Sequence, residues 1–143
     1  MYCFSTMEEF SRIRESVRQK LAQLLVTGVE SLFVAINEAV NNAIFHGNKR
    51  DKTKKVYLTI TRLPGEIQVV IRDEGQGFTL VENKIEEGLR EGGRGLEIIG
   101  LCVDKYYFNV QPSELVLIKK VSGFPVADKR KVSKKGRLVN VHQ

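Results

Sequence analysis

A chain of 143 residues, 42% apolar and 28% charged, has the composition of one soluble domain with enough length to bury a core, which excludes the disordered and fibrous classes. Its longest apolar runs fall far short of a membrane span and residues 1–10 lack the basic-then-apolar pattern of a secretory signal, so a cytoplasmic protein without membrane contact is expected. The net charge of +6 is uneven: residues 1–120 carry 17 Lys and Arg against 16 Asp and Glu, whereas residues 121–143 carry six against one.

The division of charge suggests a division of the chain. Residues 1–120 read as the folded domain, and residues 121–143 as a flexible basic extension with few large apolar side chains and no sustained period. Such a tail either solubilises or binds an acidic partner or nucleic acid. It lacks the interleaved aromatics that base stacking would need. The two cysteines, Cys3 and Cys102, form neither a metal-ligand spacing nor a disulfide framework, as suits a reducing compartment.

In chain order, a short strand is expected at residues 2–4. Ser5 or Thr6 with Glu8 or Glu9 then has capping-box spacing and starts a helix. Phe10, Ile13, Val17, Leu21, Leu24 and Leu25 recur at helical spacing until Thr27-Gly28. Thr27 with Glu30 can cap a second helix, which runs to about Gly47 and is the centre of interest. Leu32, Ala35, Ile36, Ala39, Val40 and Ala43 form its apolar arc. Glu38, Asn42 and His46 lie four residues apart, drift only about 40° per step, and so line the rim of that arc as one polar stripe.

After the charged loop at residues 49–55 the period changes to two. Val56, Leu58 and Ile60 alternate with polar residues, Leu63-Pro64-Gly65 turns, and Ile67, Val69 and Ile71 resume the pattern, which predicts an antiparallel hairpin. The second strand runs into Asp73-Glu74-Gly75-Gln76-Gly77-Phe78, a carboxylate at a strand end followed by glycines that let a ligand approach the backbone. Residues 79–91 are charged and aperiodic, as expected of a polar lid that opens at low cost and is mobile without ligand. Gly92-Gly93-Arg94-Gly95 precedes a third helix marked by Leu96, Ile99, Cys102 and Val103, and strands at 105–110 and 114–121 follow. The sum is an α+β, two-layer sandwich with about three helices on one face of a mixed, mostly antiparallel sheet.

Each glycine cluster alone is weak evidence, since such sequences also make turns and helix entries. Neither has the pattern of a Walker A loop or of a dinucleotide fingerprint. The ordered set is more specific: NEAVNNAIFHGN, RDEGQGF and EGGRGLEIIG, in this order and spacing, resemble the three ATP-site boxes of the GHKL ATPase superfamily, and within it the anti-sigma-factor serine/threonine kinases. The resemblance covers roughly residues 5–120 and implies the Bergerat-type ATP-binding fold, with ATP and Mg²⁺ bound beneath the lid.

Carried over position by position, the resemblance makes Asn42 the Mg²⁺ ligand and Glu38 the general base that accepts the proton of an attacking serine hydroxyl. It makes Asp73 the acceptor for the adenine amino group, with Gly75 and Gly77 giving the base and ribose room. Gly93, Gly95 and Leu96 would offer backbone at the phosphates, and Arg90 or Arg94 would balance γ-phosphate charge. His46 continues the stripe and is either part of the site or structural.

The implied activity is that of an ATP-dependent protein serine/threonine kinase acting as an anti-sigma factor. Its implied partners are an anti-sigma antagonist carrying the acceptor serine or threonine and a sigma factor. The alternative is a nucleotide-binding module that sequesters a regulator with little or no phosphotransfer. Nucleic-acid binding is expected of the tail if of any part, and a homodimer is left open. A sensor histidine kinase is disfavoured because no His precedes Glu38, and gyrase-type or chaperone ATPases would need further domains.

Overall fold

Thr6 starts the first helix as the spacing predicts: its hydroxyl accepts from the Glu9 N–H at 3.1 Å, while the Glu9 carboxylate accepts from the Ser5 N–H at 2.6 Å. This capping fixes the corner between strand β1 (Tyr2–Phe4) and helix α1 (Met7–Leu24), and Phe4 packs on Phe10 with ring centroids 5.1 Å apart. A computed structural model describes residues 1–75 and 95–121 of the chain. The expected lid, Gly77, Arg90, Gly93, Arg94 and the extension from residue 122 lie outside the described residues.

Helix α2 spans Val29–Asn42, but Thr27 does not cap it. Gly28 is the N-cap, with φ of 86° and no side-chain cap bond, so the helix is entered through a left-handed glycine. The helix also does not reach Gly47 in α form. From Ala43 to Gly47 the chain widens into a π-helical turn in which the Asn48 N–H reaches back to the Ala43 carbonyl at 2.8 Å.

The hairpin forms where the period-two pattern places it, as β2 (Val56–Leu63) and β3 (Glu66–Asp73). Helix α3 (Gly95–Cys102), β4 (Lys105–Asn109) and β5 (Glu114–Lys120) complete the described fold. The five strands run in the order β1-β2-β3-β5-β4. Each described pairing is antiparallel, so the sheet expected to be mixed is antiparallel throughout its described part. The reason is the return of the chain: β5 turns straight back along β4 and slots between it and β3, opposing both neighbours.

One face of this sheet carries Val56, Leu58, Ile67, Val69, Ile71, Leu115 and Leu117, all in a single core with the helices. Phe10, Val17 and Leu21 of α1 and Leu32, Phe33, Ala35, Ile36, Ala39 and Val40 of α2 cover it. The intervening strand residues point away, which makes two layers, helices over sheet. Burial of the apolar stripe of α2 fixes its rotation, and its rim residues thereby face α3 and the end of β3. Among the described residues no helix is long and apolar enough to cross a membrane.

Candidate functional site

Asp73 ends β3 and is almost fully buried, at 6% exposure. A carboxylate there requires hydrogen bonds to offset its lost hydration. The Gly75 N–H donates to Oδ1 at 2.8 Å and the Ser113 hydroxyl to Oδ2 at 3.2 Å, while the Asp73 N–H donates to the Ser113 carbonyl at 3.0 Å. Gly47, at the end of the π turn, is pressed against the same carboxylate. A Cβ at position 47 would lie 2.3 Å from Asp73 Oδ2, and one at Gly75 would lie 2.1 Å from the Gly47 carbonyl oxygen. Neither distance is possible, so only glycines let these three backbones interlock. The close approach also accounts for the π turn, whose extra width sets Gly47 beside the strand end.

Asn48 locks the next corner. It is 2% exposed, accepts from the Glu74 N–H at 2.8 Å, and donates to the Lys55 carbonyl at 3.0 Å. Glu74 in turn accepts from the Lys55 N–H at 2.8 Å and the Tyr57 hydroxyl at 2.9 Å. These two donors, the Lys55 N–H first, hold its carboxyl below the usual glutamate range, and Glu74 raises the Tyr57 phenol.

In the last turns of α2, ahead of the π turn, the surroundings change. Glu38 is half-buried, and its Oε1 lies 3.3 Å from where a Cβ of Gly95 would stand, so the carboxylate meets the first residue of α3. Asn42 follows one turn later, also half-buried. Among the described residues, neither side chain makes a hydrogen bond or ion pair. Leu96 stands beside Gly95 in the first turn of α3 and packs on the core. His46 is half-buried but belongs to the π turn, where the α-helical spacing of the expected stripe no longer holds.

The fold thus brings Glu38 to the start of α3, with Asn42 one turn further along α2, and Asp73 to Gly75 and the end of the π turn. Gly77, Arg90, Gly93 and Arg94 fall outside the described residues. Sequence reasoning missed Asn48 and Ser113. Asn48 is the last residue of the motif around His46, and Ser113 closes the turn after the cis Gln111–Pro112 bond; an Asn and a Ser ending such segments were the only signals.

A buried acceptor, backbone made bare by glycine, and a carboxylate beside the start of a helix are the chemistry of a site for a polar ligand. Among the described residues no three His, Cys, Asp or Glu cluster as a metal cage.

Residues 5–119 match the family described as "Histidine kinase-like ATPase domain". The chain is 29% identical over 102 residues to the serine-protein kinase RsbW of Oceanobacillus iheyensis, covering 64% of this chain and 65% of that protein. It is 38% identical over 77 residues to the anti-sigma F factor of Shouchella clausii, covering 52% of this chain and 51% of that one. With the anti-sigma F factor of Bacillus subtilis strain 168 the identity is 38% over 116 residues, 76% of this chain and 78% of the relative. The chain thus spans less than two thirds of the first two relatives and more than two thirds of the third. With its fold and its matched residues, this chain belongs to the family of histidine kinase-like ATPase domains.

Proposed function

We propose that this protein is an ATP-dependent protein serine/threonine kinase that regulates a partner, acting as an anti-sigma factor that phosphorylates an anti-sigma antagonist. The observation that carries the reading is the meeting of the Glu38 carboxylate with Gly95 at the start of α3, one turn from Asn42. A base is useful only beside the group that is transferred, and phosphates favour the N–H groups that open a helix. The serine-protein kinase and anti-sigma F names of the relatives agree with it.

In this reading Asp73 accepts from the adenine amino group, held in place by Gly75 and Ser113. Gly75 keeps the backbone low beneath the base, and Gly95 and Leu96 offer N–H groups at the phosphate end. Asn42 is the protein's ligand to Mg²⁺, which when bound spreads the negative charge of the phosphates. Glu38 accepts the proton as the serine oxygen attacks, and its half-buried position limits competition from water. The resemblance extends the phosphate and ribose contacts to Gly77, Gly93, Arg90 and Arg94. Residues 1–120 form the domain that does this, and residues 121–143 an appended extension.

The anti-sigma F name also favours a second reading, a nucleotide-dependent module that holds a sigma factor with little phosphotransfer. Transfer of label from γ-labelled ATP to proteins of the host lysate separates the two. Glu38→Gln should lower transfer by about 100-fold or more. Equal labelling by parent and variant would remove Glu38 from the chemistry, and no labelling by the parent would favour the module.

A further inference from the structure

Directly after the π turn, residues 48–55 read NKRDKTKK: five cations and one carboxylate. Lys49, Arg50, Lys52 and Lys55 are exposed and Lys54 is half-exposed. Most basic surface segments are loosely held, but this one is built. The Arg50 N–H bonds to the Ile44 carbonyl at 2.8 Å, Asp51 N–H to Asn48 at 2.9 Å and Lys54 N–H to Asp51 at 3.0 Å. The buried Asn48 ties both ends, and Lys49 and Arg50 are held at φ of 53° and 64°, a left-handed conformation that non-glycine residues adopt only when the surroundings enforce it.

The carboxylates nearest these cations are already engaged. Asp51 accepts from the Thr53 N–H and hydroxyl at 2.9 and 2.6 Å, and Glu74 from Lys55 and Tyr57. Among the described residues none of the five cations has an ion-pair partner, the ion pairs lying on α1 and α2. A rigid cluster of unpaired cations raises the on-rate and selectivity for a surface of opposite charge without further ordering cost.

We propose that residues 49–55 are a docking surface for an acidic protein segment. The occupant is a protein and not a nucleic acid because, on the kinase reading above, the acceptor hydroxyl is carried by a protein that must lie across this end of the site; Arg50 over Phe45 at 4.8 Å and Arg72 over Tyr57 at 5.1 Å also occupy one face of each ring beside the loop. The loop abuts the Asp73 end of the site, and Gly47 lies nine residues beyond Glu38, about 13 Å at a helical rise. A segment of about four extended residues covers that span. Resting on the kinase reading above, the loop selects substrates with acidic residues set that far from the acceptor hydroxyl. The chain leaves the described fold at Val121, bonded to Gly65 at the opposite end of β3 from Asp73, and the basic tail is tested separately from the loop.

Fluorescence anisotropy tests this with a labelled peptide bearing a central serine flanked by glutamates, the same peptide with glutamines, and a single-stranded oligonucleotide of equal charge. The proteins are the full-length parent, Lys52→Glu/Lys54→Glu, and Lys134→Gln/Lys135→Gln. Lys52 and Lys54 make no side-chain hydrogen bond among the described residues, so their reversal spares the fold. The glutamate peptide should bind the parent most tightly, lose about tenfold in the loop variant, and be unaffected by the tail variant. Unchanged binding by the loop variant, loss confined to the tail variant, or a preference for the oligonucleotide would overturn the proposal. Calorimetry with Mg·ATP on the same proteins separates the readings: a parent that binds no Mg·ATP refutes the kinase reading, while the peptide comparison still decides the loop.

Discussion

The two ends of the site, the Asp73 corner beyond the π turn and the Glu38–Asn42 stretch of α2, are built on opposite principles. At the Asp73 end a carboxylate is buried, bonded by Gly75 and Ser113, and wedged against Gly47, so that nothing moves without a collision or a lost hydrogen bond. At the Glu38 end two polar side chains are half-buried and make no hydrogen bond among the described residues. The first arrangement suits recognition of a group whose position must be fixed. The second leaves carboxylate and amide free to meet groups that change during a reaction. The difference predicts that substitutions at the first end act on stability, and those at the second on chemistry.

Gly47→Ala should have the largest effect on stability. The added methyl has no room against Asp73, and a cost of about 3 kcal/mol is expected in urea unfolding, in line with severe overpacking. A neutral result would mean that the interlock at this end gives way easily. Glu38→Gln should change stability by less than about 0.5 kcal/mol in the same experiment, which sharpens the contrast.

Asn48→Ala should fall between them. It strands the Lys55 carbonyl and the Glu74 N–H and should cost about 2 kcal/mol. Finding no loss would show that water replaces the amide.

Much of this was legible beforehand. Val56, Leu58, Ile67, Val69 and Ile71 alternate along their strands, and Thr6 with Glu9 has the spacing of its cap, so local chemistry and final structure agree there. Glu38 and Asn42 could be placed because both sit on one regular helix. What could not be read depends on contacts far apart in sequence. The π turn exists because Gly47 must fit against Asp73, 26 residues later, and no periodicity within residues 43–47 announces it. Ser113 supports Asp73 across the register of β3 and β5, which becomes visible only once strand order is known. Gly28 displaces Thr27 as the cap of α2 through a backbone choice that capping-box spacing does not encode.

The smallest expected effect is on pH dependence. The carboxyl of Glu74 is held low, by the Lys55 N–H first and the Tyr57 hydroxyl second. Its contribution is therefore complete above the pKa of an unfolded glutamate and is lost as the pH falls through the lower folded value. Thermal unfolding should show a decline below the usual glutamate range, with a shallower acid limb in Glu74→Gln. An identical acid limb in parent and variant would remove Glu74 from that dependence.

The central claim is that the Asp73 corner and the Glu38–Asn42 stretch of α2 serve a single nucleotide site, the first for affinity and the second for chemistry. Calorimetric titration of Mg·ATP into the parent, Asp73→Asn and Glu38→Gln tests it most directly. The parent should bind, Asp73→Asn should bind about tenfold or more weakly through loss of a charged acceptor, and Glu38→Gln should bind as the parent does. Full affinity in a folded Asp73→Asn, or a Glu38→Gln loss as large as that of Asp73→Asn, would contradict it.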